Sequence, residues 1–499
     1  MHVKVYNVLI HCFQIFFTLT CGDLRWSANF TPELEKQNCK VHYNVDEWGK
    51  ENVTVEVKDG KKTIKKPWQQ YLEDHVDEKL HAMMRRNVLL ATRNFQHRVE
   101  TFRKEVIFGR NNPMKVRHIS YRVEFQGRGA AHIHGVLWLD LDEIKVEGVN
   151  KDVLKESYNK LKHSQPLESR EVRALERFTD TFVTCTRCVS VAGAEAVKIA
   201  EECNWHGHSN SCKKGGARLC RWKFPRYPLE RTIFVDANRE YGEEGKMEAK
   251  VRDEILDRVM RVLVQEEGGK KVLSERVKRI MLSKSYPNVK KIDLVEDDSN
   301  IGEEDEDSLS ESEDALQISI SAERQTSQPS FSQEQNSPDF LPVQKPISAE
   351  RPTLQQPPNP QPPHLPRKRR GQPMSKDTQP PSKKAKKKPN TVTYVKMESP
   401  EEYKQNIRKR IDKVLEKASA GGEPITYQMY ERAVIDQPRK GSEVLLQRDI
   451  DEIFINNFNA EWIVAWDANI DISPVYDYYG TITYITDYFT KVSSILKLK

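Results

Sequence analysis

No apolar run in this 499-residue chain reaches the ~18 positions a helix needs to cross a bilayer, which excludes a membrane-spanning protein. Nor does a G-x4-G-K-[S/T] stretch occur anywhere, so the phosphate-cradling loop of P-loop ATPases is missing and no ATP site is expected. Apolar residues are few, 37% against 31% charged, so part of a chain long enough for about three domains of ~150 residues cannot be core. The formal charge of +6 is mild, and any basic surface for a polyanion must be local. Cysteine is sparse as well, eight in all, yet Cys185, Cys188, Cys203, Cys212 and Cys220 crowd together with His206 and His208. That is the spacing of a metal site in a reducing compartment rather than of a disulfide framework. The first twenty residues resemble a secretory signal in setting Lys4 before an apolar run. His11 and Gln14 interrupt that run, however, and Cys21-Gly22-Asp23 stands where small residues would favour cleavage, so an intracellular protein is expected.

The fold class expected is α+β, an antiparallel sheet with covering helices. "IFFTLTCGDLRW", Ile15 to Trp26, has the β-branched and aromatic content of a buried strand running into a loop. Lys66 to Ile107 reads as one helix with Trp68, Tyr71, Leu72, Val76, Leu80, Met83 and Met84 on its apolar face, ended by "GRNNP". Strands follow at Val116 to Phe125 and His132 to Leu139, then helices near Asp152 to His163 and Glu168 to Phe182. After Val295 an acidic run gives way to Ser-, Gln- and Pro-rich sequence and then to basic clusters, a composition that cannot bury enough apolar area to offset chain entropy. Order is expected again at "SPEEYKQNIRKRIDKVLEKA", with Ser399 as N-cap. The segments are therefore 1–165 with the paired histidines, 166–235 with the Cys/His cluster, 236–295 helical, 296–391 disordered, and 392–499 helical with paired tyrosines.

Three constellations carry chemistry. In "RGAAHIHGVLWLDLDE", period-two alternation sends His132, His134, Val136 and Trp138 to one strand face and Ile133, Leu137 and Leu139 to the other. Two imidazoles about 6–7 Å apart along a strand suit one metal ion; the alternative is a pair of core histidines bonded to backbone. In "YYGTITYITDYFTK", Tyr484, Tyr488 and Lys491 share a face if the segment is helical; the alternative is ordinary aromatic packing. Cys203-x2-His206-x-His208-x3-Cys212-x7-Cys220, with Cys185-x2-Cys188 nearby, offers more ligands than the four a tetrahedral zinc needs, and the closing set stays open. Lys213, Lys214, Arg218, Arg221, Lys223 and Arg226, interleaved with Trp222 and Phe224, make a surface able to follow a phosphate backbone and stack a base, or simply a solvated charged face.

Taken in order, "FFTLTCGDLRW" (Phe16 to Trp26), "FQHRVETFRKEVIFG" (Phe95 to Gly109), "EFQGRGAAHIHGVLWL" (Glu124 to Leu139), "HGHSNSCKKGGARLCRWKFPR" (His206 to Arg226) and "WDANIDISPVYDYYGTITYITDYFTK" (Trp466 to Lys491) resemble the replication-initiator region of Helitron-like transposons. The resemblance implies a rolling-circle endonuclease of the His-hydrophobic-His class that nicks single-stranded DNA. His132 and His134 would then hold Mg²⁺ or Mn²⁺, with Glu124 or Gln126 as third ligand. Tyr484 or Tyr488 would attack the phosphodiester to leave a 5′-phosphotyrosine, Lys491 would contact phosphate or serve as a helix-end charge, and His206, His208, Cys212 and Cys220 match the family's Cys/His positions. A metal is needed because a tyrosine hydroxyl, of ordinary pKa about 10, is a poor nucleophile towards an anionic phosphodiester. The sequence departs from the family at Ala131, where proline is usual, and in lacking the helicase. It looks like a fragment or decayed copy of a transposon protein, with the low-complexity middle as an insertion.

An inactive remnant that binds DNA without cutting it is the competing expectation, and a cupin-type metal oxygenase lacks the glutamate it would need a few residues after the histidines. Nuclear localisation is expected from two basic clusters, Arg367, Lys368, Arg369 and Arg370, then Lys383, Lys384, Lys386, Lys387 and Lys388, spaced to engage an import receptor.

Overall fold

The computed structural model describes residues 13–45, 51–59, 62–125, 130–208, 212, 220–237, 245–267, 270–282 and 398–490, with backbone alone at 45, 51, 52, 59, 282 and 487–490. The chain forms two units: residues 1–292 with 392–499, and 293–391. All described residues belong to the first. The expected disordered segment 296–391 and both basic clusters lie outside them.

Strands run in chain order β1 (Ile15–Thr20), β2 (Lys40–Val45), β3 (Glu51–Asp59), β4 (Lys62–Pro67), β5 (Val116–Phe125), β6 (Ala131–Leu139), β7 (Ile233–Val235), β8 (Val264–Glu267), β9 (Lys270–Leu273), β10 (Glu443–Leu445) and β11 (Ile470–Pro474). Helices are α1 (Thr31–Lys36), α2 (Trp68–His75), α3 (Leu80–Arg86), α4 (Val88–Thr101), α5 (Lys151–Lys162), α6 (Ser169–Phe182), α7 (Val189–Ala192), α8 (Ala194–Cys203), α9 (Ala249–Leu263), α10 (Glu275–Leu282), α11 (Pro400–Ser419), α12 (Tyr427–Ile435), α13 (Ala460–Trp466) and α14 (Tyr478–Thr490). This is an α+β fold. No helix among the described residues is long and apolar enough to cross a membrane.

The main sheet has the order β11-β1-β6-β5 and its pairs are antiparallel. One face of it packs on the principal core. Ile15, Phe17 and Leu19 of β1 and Ile133, Leu137 and Leu139 of β6 meet Phe95 and Val99 of α4, Leu175, Phe178 and Phe182 of α6, Ile199 of α8, and Trp462 and Trp466 of α13. Trp466 is fully buried, sits edge-on to Trp26, Phe95 and Phe102 at 5.3–5.7 Å, and donates from Nε1 to Thr20 O at 2.9 Å. On the opposite face Val136 and Trp138 pack with Phe13 and Val475. The alternation read from "HIHGVLWL" therefore sorts the strand's two faces correctly.

A second core joins Ile255, Val259 and Leu263 of α9 to Ile407, Ile411 and Val414 of α11 and to Ile453 and Phe454. A third lies under β2-β3-β4, where Val53 and Val55 meet Trp68, Leu72 and Met83. Helix α11 begins with Ser399 Oγ accepting from Glu402 N, while Glu402 returns a bond to Ser399 N, the capping box that "SPEE" encodes.

One expectation needs correction. The single helix over 66–107 is instead the end of β4, then α2, α3 and α4, then one π-helical turn at Phe102–Ile107. Val76 leaves the helix in an extended conformation (φ −120°, ψ 118°), whereas the apolar spacing runs on past the break and hides it. Strand β11 pairs with β1 and α13 fills the principal core, so the C-terminal segment completes the N-terminal sheet instead of standing apart.

Candidate functional site

The pleat of β6 brings the His132 and His134 rings together, with centroids 4.6 Å apart and planes at 77°. Strand β1 sets Thr20 opposite His132 and Thr18 opposite His134, while β5 sets Glu124 opposite His132 and Arg122 opposite His134. Glu124 leans across the diagonal, and its Oε2 lies 3.6 Å from His134 Nε2. His132 Nδ1 lies 2.8 Å from a side-chain hydroxyl, Thr20 Oγ1. Two imidazoles and a carboxylate thus share a half-buried sheet face, a mixed set of nitrogen and oxygen groups. Gln126, the other sequence candidate for third ligand, lies outside the described residues.

Helix α14 lies over this face. Its first turn is held by Asp477 Oδ1, which accepts from Gly480 N at 2.8 Å, and by Tyr478 against Phe13 with centroids 5.0 Å apart. Tyr484 stands edge-on to Phe16 at 5.6 Å and to His134 at 6.0 Å, and is 37% exposed. The Tyr484 side chain is thus partly open to solvent beside the histidine pair. The backbone of Tyr488 continues the same helix about one turn on, ~6 Å along the axis. Its side chain and Lys491 are outside the described residues.

The structure brings His206, His208, Cys212 and Cys220 together, with one ligand atom of each within 4.8 Å of all the others. Cys212 Sγ lies 3.5 Å and Cys220 Sγ 3.2 Å from His206 Nε2. His206 N donates to Phe454 O at 2.7 Å, and its ring stacks on Phe224 with centroids 4.4 Å apart. Burial, with His208 and Arg226 adding to it, pushes the His206 imidazole down to about 4, so it is a neutral donor near pH 7. Cys185, Cys188 and Cys203 stand elsewhere. Cys185 Sγ lies 3.3 Å from Gln447 O, Cys188 Sγ 3.1 Å from Ser190 Oγ, and Cys203 closes α8.

Of the basic stretch, Lys213, Lys214 and Arg218 lie outside the described residues, Arg221 and Lys223 are exposed, and Arg226 is half-buried. Arg221 caps the Trp222 ring at 4.0 Å and Arg226 the Phe224 ring at 4.8 Å. Burial, then the neighbouring Arg448, lowers the Arg226 guanidinium from its usual range. Beside the cluster lies a cavity of about 1100 Å³ whose wall includes Lys223, Phe224, Tyr227, Arg261 and Lys271.

Residues that sequence reasoning missed connect the two centres. Asn204, two residues before His206, bonds β11 through Nδ2 to Ile470 O at 2.7 Å and through Oδ1 from Ile470 N at 3.2 Å. Asn469 donates from Nδ2 to Cys203 O and to Asn204 Oδ1, and its Oδ1 accepts from Thr20 Oγ1 at 3.1 Å. The threonines of "FFTLT" share the histidine face by alternation, but the partners of Thr20, 112 and 449 residues away, become visible only in the fold.

No curated protein and no solved structure matches the chain. Residues 3–137 match the family described as the Helitron helicase-like domain at the N-terminus. That span contains β1, β5 and most of β6, and with them Thr20, Glu124, His132 and His134, while Tyr484 and the Cys/His cluster lie beyond it. The protein therefore carries a Helitron helicase-like domain at its N-terminus, and the histidine pair belongs to it.

Proposed function

We propose that the protein is a metal-dependent single-stranded DNA endonuclease and strand transferase of the Helitron-like rolling-circle type. The observation that carries the reading is the approach of the Tyr484 ring to within 6.0 Å of His134, across a site walled by Glu124. An antiparallel sheet with paired histidines on an inner strand supports a fold of the His-hydrophobic-His type. The donor set fits Mg²⁺ or Mn²⁺, with His132, His134 and Glu124 as the residues that would hold it. When bound, the cation would withdraw charge from the phosphodiester. Tyr484 Oη attacks phosphorus and gives its proton to solvent; the bond from phosphorus to O3′ breaks, and the departing oxygen takes up a proton from water. The product is a 5′-phosphotyrosine and a free 3′-hydroxyl, and the phosphotyrosyl bond keeps the energy for rejoining. Tyr488, four residues on, would serve as the second nucleophile that strand transfer requires.

The same reading gives His206, His208, Cys212 and Cys220 a structural zinc, since two thiols and two imidazoles within 4.8 Å match tetrahedral zinc chemistry. The basic and aromatic wall of the neighbouring cavity suits single-stranded DNA. The basic clusters around Arg367 to Arg370 and Lys383 to Lys388 support nuclear import. The test is incubation of the full chain with Mn²⁺ and a 3′-labelled single-stranded oligonucleotide, because the 5′-phosphotyrosine keeps the fragment that carries the 3′ end. A covalent adduct is expected, reduced in Tyr484→Phe and in Tyr488→Phe and absent in the double variant. Binding with no adduct favours a DNA-binding remnant instead, and adduct formation by the double variant sinks the tyrosine assignment.

A further inference from the structure

We propose that Thr20 is a positioning residue for His132: its hydroxyl holds the imidazole with the proton on Nδ1, leaving the Nε2 lone pair for a divalent cation, and the Asn469–Asn204 pair aims that hydroxyl. The proposal rests on the reading of His132 as a metal ligand. It follows from counting protons along one chain of hydrogen bonds. Asn204 grips the backbone of Ile470 from both sides, and because Ile470 O accepts and Ile470 N donates, the amide nitrogen of Asn204 must face the carbonyl and its Oδ1 the N–H. Asn204 Oδ1 is therefore an acceptor for Asn469, as is Cys203 O, and the nitrogen of the Asn469 amide is turned towards both, at 3.2 and 3.0 Å. That leaves Asn469 Oδ1 towards Thr20, whose one hydroxyl proton goes to it at 3.1 Å.

With its proton committed, Thr20 Oγ1 meets His132 Nδ1, 2.8 Å away, as an acceptor, so the imidazole nitrogen is the donor. Thr20 has little freedom to escape the arrangement. Its N–H donates to Asn469 O at 3.0 Å and its carbonyl accepts from buried Trp466. Which imidazole nitrogen can take a metal is set by the bond the other one makes, and outer partners of this kind typically change metal affinity about 10–100-fold when removed. The chain also starts between Cys203 and His206, so the loop bearing the Cys/His cluster and the histidine pair share one hydrogen-bonded path.

The experiment uses the full chain, metal-free, with ¹⁵N-labelled histidine, at a pH above the ordinary imidazole range. The His132 signals are identified by their loss in His132→Gln. Expected are a protonated Nδ1 and an unprotonated Nε2. Thr20→Val should lose that pattern and weaken Mn²⁺ binding, followed by electron paramagnetic resonance, by about 10–100-fold; Thr20→Ser should keep both. A wild-type His132 protonated on Nε2 overturns the proposal, as does Thr20→Val with tautomer and Mn²⁺ affinity unchanged. Should Thr20→Val fail to fold, the wild-type tautomer alone decides. These readings involve no DNA, so loss of the nicking function and loss of this inference are separately visible.

Discussion

Gly135, the residue after the second histidine, is a position where the site has no room for one added methyl group. It lies opposite Phe17 in the β1–β6 register, and a Cβ built there stands 2.5 Å from both Cε1 and Cζ of that ring and 3.0 Å from Tyr121 Cβ. Carbon atoms pack comfortably at about 3.5–4.0 Å, so the ring must retreat by about 1 Å or more. It has nowhere to go, being 1% exposed with Trp462 edge-on at 6.1 Å. Overpacking of this kind costs about 1–3 kcal/mol, offset by about 0.5–1 kcal/mol from removing a strand glycine. Two contacts at 2.5 Å put the clash towards the upper end, so Gly135→Ala should destabilise by about 1–2 kcal/mol, and part of the strain will appear as displacement of His134. Urea unfolding and Mn²⁺ affinity would be measured for Gly135→Ala, Phe17→Leu and the double variant. Because the smaller side chain relieves the contact, the double variant should be more stable than the sum of the singles by about 1 kcal/mol. Additive effects, or a Gly135→Ala protein as stable as wild type, would refute the reasoning.

Freshly purified, reduced protein should contain about one zinc per chain by metal analysis, and Cys212→Ser should release it and cost several kcal/mol, since a structural site couples binding to folding; a zinc-free protein counts against that site. Arg410 is 1% exposed and bonds both Glu398 (2.9 Å) and Asp449 (2.6 Å), themselves 5% and 0% exposed. Arg410→Ala strands both carboxylates and should lower unfolding stability by about 3–5 kcal/mol, whereas an exposed pair such as Arg103–Glu100 should cost about 1 kcal/mol or less. A fluorescent cargo too large for passive entry, fused to residues 366–389, should reach the nucleus, and cytoplasmic retention would remove the import signal.

The strands and the face of each histidine were legible because alternation is a local signal: "HIHGVLWL" names its own core side. The helices at Lys151–Lys162, Ser169–Phe182 and Pro400–Ser419 were legible for the same reason, helped by capping residues. What could not be read was pairing at long range. The run "RDIDE", Arg448 to Glu452, looks like solvated surface, yet Arg448, Asp449, Asp451 and Glu452 are all buried. Glu452 accepts from Thr186 Oγ1, Arg187 N and Tyr403 OH, and Arg187 reaches Asp451 at 2.6 Å. Asp451 and Glu452 become core residues there because Thr186 and Arg187 reach them from more than 260 residues away, while Arg410 and Tyr403 of α11 bring shorter-range partners to Asp449 and Glu452. Likewise Cys185 and Cys188 shared the crowding of the metal cluster in sequence, but the chain turns them towards Gln447 and Ser190.

The register of β11 on β1 ties the histidines to the tyrosine helix. Strand β1 has β6, with both histidines, on one side, and β11 on the other. Helix α14 follows β11 after Val475, Tyr476 and Asp477. The position of Tyr484 relative to His134 is thus fixed by which residues of β11 face Ile15 to Leu19. A slip of one residue would shift the strand by about 3.3 Å and exchange its faces, exposing Ile470 and Ile472, which are 1% and 0% exposed, and removing Asn469 from Thr20. Burial of these isoleucines and the Thr20–Asn469 bond therefore select the same register, and that register brings a phenol from the end of the chain to an imidazole from its first third.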